Sequence, residues 1–241
     1  MTVSRETIAR LALRHGLRPP ADERLARLLD ALAAEPDPPT TVREPAQAAD
    51  VHLADSLSGL AVEGLRGAAR LADLGSGAGF PGLPLAIALP DARVHLLESS
   101  RRKCELIERL AGAAEIPNAA TVPARVEEWA AAPPPDGGRE AYDAVTARAL
   151  AELAVLAEYA SPLLAKDGLL VAWKGARDER EERRGREAAA ETGLELEDVL
   201  RVQPFERAEN RHLYVLRKRG PTPARLPRRP GMATKRPLGK D

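Results

Sequence analysis

The spacing of apolar residues divides the chain into a helical beginning and a longer part in which strands alternate with helices. Residues 4–34 predict two helices separated at Gly16–Pro20, and residues 46–65 predict a third. Beyond them, short apolar runs predict seven strands. The predicted strands are 69–74, 93–98, 119–123, 141–146, 168–173, 194–202 and 212–217.

Helical spacing fills four of the connections between these strands, at 83–89, 101–113, 150–164 and 177–192. The last of these segments is so highly charged that we interpret it as a solvent-facing helix. The alternation predicts an α/β fold whose mostly parallel sheet is covered by helices on both faces. No helix is predicted between the last two strands, so we expect those two to pair antiparallel.

The first predicted strand runs directly into a glycine-rich turn. Asp73, Gly75, Gly77 and Gly79 form a D-x-G-x-G-x-G pattern before the next helix. Glycines are needed there because the chain bends sharply and its backbone must approach a ligand closely. Glu98 ends the following strand, where a carboxylate binds the two hydroxyls of a ribose. The pattern therefore predicts a site for an adenosine-containing cofactor.

Two cofactor classes fit this turn. Gly77, Gly79 and Gly82 also form the G-x-G-x-x-G spacing of NAD-binding proteins. The carboxylate of Asp73 would repel a pyrophosphate, whereas it would attract the cationic end of S-adenosylmethionine. Phe80 adds an apolar wall, and a terminal antiparallel hairpin suits a methyltransferase better than a dehydrogenase. We therefore favour S-adenosylmethionine over NAD.

The charge of the chain is balanced overall but divided along its length. Lys plus Arg and Asp plus Glu each number 36, yet nine basic residues and one acidic residue lie within 217–241. A basic end on an acidic body suggests an anionic partner, although a solvated and disordered terminus explains the same pattern. Four prolines within 221–230 predict that this tail lacks regular structure.

Composition also restricts the compartment and the chemistry. A single cysteine, Cys104, excludes an intramolecular disulfide and fits a reducing compartment. The sequence shows neither a signal peptide nor an apolar stretch approaching about 18 residues. The four histidines lack the spacing of metal ligands. We therefore expect a cytoplasmic monomer with no membrane association and no metal.

Nine short motifs in a fixed order resemble those of one bacterial family. They are T-T-V-R-E-P (40–45), H-L-A-D-S (52–56), D-L-G-S-G-A-G-F-P-G-L-P-L (73–85), L-L-E-S-S-R-R-K (96–103), R-V-E-E-W (125–129), A-R-A-L (147–150), W-K-G (173–175), N-R-H-L (210–213) and P-R-R-P-G-M-A-T-K-R-P-L (227–238). From residue 41 onward the chain resembles bacterial small-subunit rRNA methyltransferase G (RsmG), also called glucose-inhibited division protein B (GidB).

The resemblance implies both a fold and a reaction. The fold is a class I, Rossmann-like, S-adenosylmethionine-dependent methyltransferase with a seven-stranded, mostly parallel sheet. The reaction moves a methyl group to N7 of a guanine in the decoding-centre loop of 16S rRNA, leaving S-adenosylhomocysteine. The partner is then 16S rRNA or the 30S subunit. We divide the chain into a helical extension (1–45), a methyltransferase domain (46–219) and a basic, proline-rich, disordered tail (220–241).

The same resemblance assigns residues to the cofactor. From its methionine end to its adenine these are Gly75, Phe80, Glu98, Ser99, Ser100, Val126 and Glu127, with Arg148 at the edge of the pocket. Together with Asp73, Gly77 and Gly79, they form our predicted cofactor site.

Methylation at guanine N7 makes few demands on the protein, because that nitrogen already carries a lone pair and needs no general base. The site must hold it in line with the sulfonium methyl. Basic residues at the carboxyl edge of the sheet are our candidates for binding RNA, namely Arg125, Arg148, Lys174 and Arg211, together with His52. Arg148 and Lys174 are also the candidate catalytic residues. The tail would add non-specific phosphate contacts while leaving cofactor affinity unaffected.

Plainer interpretations stay open for several of these residues. His52 and Asp55 are three residues apart, which also describes an ordinary pair on a helix surface. The strand ending in Trp173-Lys174-Gly175 could simply turn out to solvent. A methyltransferase for a small molecule or a protein, or a non-catalytic nucleotide sensor, would share the cofactor half of the site. An NAD-dependent oxidoreductase fits least, since no catalytic Tyr/Lys pair is apparent.

Overall fold

The computed structural model of the chain describes residues 4–40, 42 and 44–239. Its seven strands form one sheet. They are β1 (Arg70–Leu74), β2 (Arg93–Leu97), β3 (Ala119–Val122), β4 (Tyr142–Arg148), β5 (Leu164–Lys174), β6 (Leu194–Val202) and β7 (Arg211–Lys218). Their order across the sheet is β3-β2-β1-β4-β5-β7-β6.

Five neighbouring strands, from β3 to β5, are parallel, and β7 runs antiparallel between β5 and β6. The predicted antiparallel pairing of the last two strands is therefore confirmed, with Leu200 opposite Leu213. β5 begins earlier than predicted, because the chain reaches Leu164 already extended beside Tyr142. The predicted helix over 150–164 is correspondingly shorter.

Helices cover both faces of the sheet. They are α1 (Arg5–Arg14), α2 (Ala21–Ala34), α3 (Pro45–Ala48), α4 (Asp55–Leu57), α5 (Glu63–Arg66), α6 (Gly82–Ala88), α7 (Arg101–Ala113), α8 (Val126–Trp129), α9 (Leu153–Ala160), α10 (Glu179–Thr192) and α11 (Met232–Lys235). One apolar core joins α1, α2, α6 and α7 to the sheet, and a second joins α9 and α10 to the other face. The predicted α/β fold with an N-terminal helical extension is confirmed.

The single helix predicted over 46–65 is wrong. A π-helical turn (Ala49–Ala54) and a 3-10 turn (Ser58–Ala61) interrupt it. Side chains compete for the backbone carbonyls here, which disfavours the regular hydrogen-bond ladder. The Asp55 carbonyl accepts from the Ser58 hydroxyl at 2.6 Å and from the Trp173 indole at 2.8 Å. The break aims residues 52 and 55 at the carboxyl edge of the sheet.

The charged helix α10 is only partly solvent-facing, which corrects the prediction for 177–192. Ala188 and Ala189 are buried against α9, and a Cβ at Gly185 would lie 2.5 Å from Leu153. Small residues thus form most of the buried face of the helix, together with the buried Glu182, and most of its charges lie on the other face.

The proline-rich tail packs on the domain, which corrects the prediction of a disordered segment over 220–241. Leu226 and Ala233 are buried, and Met232–Lys235 forms the short α11. Prolines precluded an extended ladder but did not prevent apolar side chains from docking. Lys240 and Asp241 lie outside the described residues, as do Thr41 and Arg43 of the motif at 40–45.

None of the helices within the described residues is long and apolar enough to cross a bilayer.

The packing of Trp173 beside the interrupted helix predicts opposite effects for two glycine substitutions. A Cβ at Gly59 would lie 2.4 Å from the Trp173 ring, whereas one at Gly112, within α7, meets nothing within 4 Å. We expect Gly59→Ala to destabilise the fold by about 1–3 kcal/mol through overpacking. Gly112→Ala should stabilise it by about 0.5–1 kcal/mol. Urea unfolding measures both, and equal midpoints for the two variants would contradict the packing.

Candidate functional site

A cavity of about 510 Å³ opens at the carboxyl ends of β1, β2, β3 and β4. Open parallel sheets bind ligands at this edge, beside the point where the strand order reverses. The structure brings most of the predicted cofactor residues together there. Those lining the cavity are Gly75, Gly77, Phe80, Glu98, Ser99, Val126, Glu127 and Arg148, joined by Arg125 and His52 from the predicted RNA set.

The glycine turn forms the floor of this cavity. Gly75, Gly77 and Gly79 have φ values of 59°, 61° and 90°, a region that favours glycine. A Cβ at Gly75 would also meet Leu150 at 2.6 Å, so a second constraint acts at that position. The amide of Ser76 donates to Leu97 O at 3.2 Å and joins the turn to the end of β2. The backbone conformation of the turn is therefore constrained, and the turn lines the cavity.

Asp73 lies beneath the cavity and is not among its lining residues, so its predicted contact with the cofactor stays a prediction. Its side chain is fully buried, and its two carboxylate oxygens accept from Thr146 Oγ1 at 2.8 Å and Gly82 N at 3.2 Å. Complete burial raises the pKa of Asp73 to about 6, while those hydrogen bonds act in the opposite direction. Asp73 thus joins the glycine turn to β4 from beneath. Gly79 and Ser100 likewise lie outside the lining.

Glu98 follows β2, where the sequence predicts a carboxylate that binds ribose. Its oxygens accept from Gly77 N at 3.1 Å and Ser100 N at 2.8 Å, and the residue is buried yet lines the cavity. Two backbone donors fix the carboxylate beside the glycine turn. This placement suits a group that binds vicinal hydroxyls.

Glu127, at the start of α8, lies at the far end of the same cavity. It is buried, and its Oε1 accepts from Gly231 N at 2.8 Å. Tyr159 on α9 also lines this end, a residue that the sequence did not identify. No motif includes Tyr159, and only the packing of α9 against the sheet brings it here. Lys103, Thr40 and Leu150 also line the cavity; they lie within the quoted motifs but were not among the predicted site residues.

His52, Phe80 and Arg148 form the side wall. The His52 and Phe80 rings stack with centroids 4.6 Å apart, and the Arg148 guanidinium carbon lies 6.0 Å from the Phe80 centroid. Arg148 Nη1 donates to Val51 O at 2.8 Å and to Asp55 Oδ2 at 2.9 Å. His52 and Asp55 are both buried, so the helix-surface interpretation of that pair is wrong.

The imidazole of His52 is neutral at neutral pH. Burial lowers the pKa of His52 to about 4, and the nearby charge of Arg148 acts in the same direction. Its Nε2 lies 3.1 Å from Thr40 Oγ1, while Nδ1 is buried without a hydrogen-bond partner among the described residues. The hydrogen-bonding capacity of this ring nitrogen is thus unused among the described residues.

A second cavity of about 580 Å³ adjoins the first and shares His52 and Arg148 with it. Lys174 and Arg211 line it, as predicted for the basic edge. The ammonium of Lys174 contacts Glu181 at 2.5 Å and donates to Ala151 O at 3.0 Å. The wall between the two cavities is thus formed by the shared side chains.

Arg211 and Asp55 leave polar atoms unused in this second cavity. Arg211 Nε lies 3.5 Å from Asp55 Oδ1, and neither atom has a hydrogen-bond partner among the described residues. The two side chains thus form an ion pair beside the cavity. Among residues 4–40, 42 and 44–239, no cluster of His, Cys, Asp and Glu has the arrangement of a metal site.

Comparison with known families agrees with this geometry. The family model described as GidB, rRNA small subunit methyltransferase G, matches residues 39–214. Relatives described as ribosomal RNA small subunit methyltransferase G include one from Rubrobacter xylanophilus. It is 44% identical over 199 residues, covering 81% of this chain and 75% of its own. The relative from Deinococcus radiodurans is 40% identical over 224 residues, covering 91% and 86%.

Solved structures show a similar fold. The crystal structure described as a predicted O-methyltransferase from Agrobacterium tumefaciens superposes with a TM-score of 0.51 and 25% sequence identity. The match covers 68% of this chain and 80% of that one. It supports the class I, Rossmann-like fold predicted from the sequence.

The buried carboxyl of Asp73 predicts a pH dependence of stability that Asp73→Asn should abolish. Because the folded pKa of about 6 lies above the ordinary 3.8, the folded chain binds more protons than the unfolded chain between those values. The free energy of unfolding of wild type should therefore fall by about 3 kcal/mol, relative to that of Asp73→Asn, as the pH rises from 4 to 7. Urea unfolding across this range measures the difference. Parallel stability curves would show that the raised pKa is wrong.

Proposed function

The chain belongs to the rRNA small subunit methyltransferase G family, and from this premise we propose that it methylates N7 of a guanine in the decoding-centre loop of 16S rRNA. S-adenosylmethionine is the methyl donor and S-adenosylhomocysteine the product. The observation that carries the proposal is a pair of adjoining cavities that share His52 and Arg148. One cavity has the features of an adenosine site, and the other has a cationic edge.

The first cavity suits the cofactor along its whole length. The positive-φ turn at Gly75 and Gly77 exposes backbone to the amino-acid end, Glu98 faces the ribose, and Glu127 faces the adenine. Ser99 and Val126 line the middle of this path. When bound, the cofactor supplies an electrophilic methyl group on a cationic sulfur. The protein's contribution is to fix its position and orientation.

The second cavity suits the target base and its phosphates. Arg211 lines it beside Asp55, with which it forms an ion pair, and its guanidinium supplies a cation for a phosphate. Arg148 is held by Asp55 and Val51 at the junction, so its guanidinium can orient a base entering from that side. Lys174 is paired with Glu181, and we assign it to the rim of the cavity rather than to the reacting atoms.

Positioning accounts for the chemistry of the proposed reaction. Guanine N7 attacks the methyl carbon with its own lone pair as the bond from carbon to sulfur breaks, and no proton needs removal. Holding the two atoms in line can lower the barrier by about 7–11 kcal/mol. Arg148 and the neutral His52 would orient the base, and Arg125 and Arg211 would hold the flanking phosphates.

Transfer of labelled methyl to defined acceptors tests the proposal. We expect wild type to label 16S rRNA in unmodified 30S subunits, and Arg148→Ala to lower the rate at least tenfold because the guanine loses its orienting contact. Naked 16S rRNA, tRNA, protein and small-molecule acceptors are run in parallel. Label in a protein or small molecule, with none in RNA, would replace the proposed substrate by that acceptor.

A salt titration tests the cationic edge. We expect Arg211→Gln to reduce the slope of log affinity for the 30S subunit against log salt concentration by about one. This is the effect of one lost phosphate contact. Arg93→Gln is the matched control, since Arg93 is exposed at the opposite end of the sheet and loses the same charge. Filter binding at several potassium concentrations gives both slopes. An unchanged slope for Arg211→Gln, or an equal change for Arg93→Gln, would remove Arg211 from the RNA site.

A further inference from the structure

The tail segment 226–236 closes on the adenine end of the first cavity. Its αL residue Gly231, at φ 79°, donates its amide to Glu127 Oε1 at 2.8 Å. Leu226 and Ala233 flank this contact and are buried, at 2% and 1% exposure. The contact is therefore embedded in packed structure and is not a surface encounter.

An ion pair anchors the same segment to α9. Arg228 donates from Nε to Glu158 Oε1 at 2.6 Å, and its Nη2 contacts Glu158 Oε2 and donates to Arg236 O at 2.8 Å. The Glu158 side chain is only 2% exposed, so a detached tail would leave a buried carboxylate without this partner. The segment consequently has one favoured docked position.

Tyr159, the residue after Glu158, connects this anchor to the cavity. Burial raises the pKa of Tyr159, and Thr234 of the tail and Glu127 are among the groups that act on that pKa. Both Tyr159 and Glu127 line the cavity. The tail thus holds Glu127 directly through Gly231, and it packs beside α9, which carries Tyr159.

We propose that segment 226–236 is part of the cofactor site, with Gly231 as a positioning residue for Glu127. This inference rests on the proposed function, since it takes the first cavity to bind the adenosine of S-adenosylmethionine. Docking of the segment sets the orientation of Glu127 and Tyr159, and so sets affinity for the cofactor. By linkage, if docking raises the affinity for the cofactor by some factor, a bound cofactor raises the docking equilibrium of the segment by the same factor.

The tail was expected to be a free basic arm, but some of its basic residues form ion pairs with the domain. Arg225 pairs with Glu191, and Arg228 pairs with Glu158. Arg229, Lys235 and Arg236 keep exposed side chains. The sequence led us to expect that the tail leaves cofactor affinity unaffected. Under this proposal, displacing the tail instead lowers the affinity for the cofactor.

Two matched glycine substitutions test the inference in the full chain. Gly231 and Gly16 both have positive φ, at 79° and 66°, and neither would place a Cβ within 4 Å of other atoms. Valine strains both backbones alike, since a β-branched residue strongly disfavours this region. Only Gly231→Val shifts the donor to Glu127. Gly231→Asn is a conservative control, because asparagine tolerates the αL conformation.

Isothermal titration with S-adenosylhomocysteine measures the effect. We expect Gly231→Val to weaken binding about tenfold, the loss of one hydrogen bond to a charged group. Gly16→Val and Gly231→Asn should stay within about twofold of wild type. Thermal unfolding of the two valine variants controls for global damage. Equal affinity of Gly231→Val and Gly16→Val would overturn the inference, whereas wild type that binds no S-adenosylhomocysteine would overturn the proposed function beneath it.

Proteolysis of wild type supplies a second measurement that needs no variant. Trypsin cleaves after exposed basic residues that are not followed by proline, and Lys235 is such a residue within the segment. Saturating S-adenosylhomocysteine should slow cleavage there at least threefold, because the ligand favours the docked state. Cleavage after Arg10 in α1 gives the reference rate. A tail cleavage rate that is the same with and without the ligand would show that the segment and the cofactor site are independent.

Discussion

The buried carboxylate of Asp73 joins the segments from which the site is built. It accepts one hydrogen bond from Gly82, where α6 begins, and another from Thr146 in β4. The glycine turn between Asp73 and Gly82 must therefore close over its own strand, and the end of β4 must stay beside it. Arg148 ends β4, and Leu150 follows it two residues later. A group that never touches the cavity thus determines the distance between its floor and its side wall.

The sequence predicted the sheet well because its signals were local. Glycine spacing, an acid at the end of β2 and alternating apolar blocks are each set by a few neighbouring residues. The role of Asp73 was not predictable in this way, since a carboxylate after a strand looks the same whether it faces a ligand or the core. The interrupted helix near Asp55 depends on Trp173, more than a hundred residues away. Long-range hydrogen bonds of this kind leave no periodic trace.

The tail shows how charge counting along a chain can mislead. Its nine cations and the acidic body suggested a free arm for an anionic partner. In the fold, Lys218 pairs with Glu140 and Arg228 pairs with Glu158. Exposed pairs contribute little, but a buried carboxylate that loses its partner costs about 3–5 kcal/mol. Glu158 is a buried carboxylate of this kind. Part of the basic charge of the tail therefore serves to pair with acidic residues of the body.

Charge also explains the junction between the two cavities. In the proposed reaction, one positive charge moves from sulfur to the purine, so additional cations beside the base would oppose the product. Arg148 is compensated by Asp55, which lies between it and Arg211. His52 stays neutral because burial lowers its pKa to about 4. Its ring stacks on Phe80 and presents an unpaired nitrogen, so it can orient a base without adding charge. A histidine left in water, with an ordinary pKa near 6.5, would be protonated in part of the molecules and would favour the reactant.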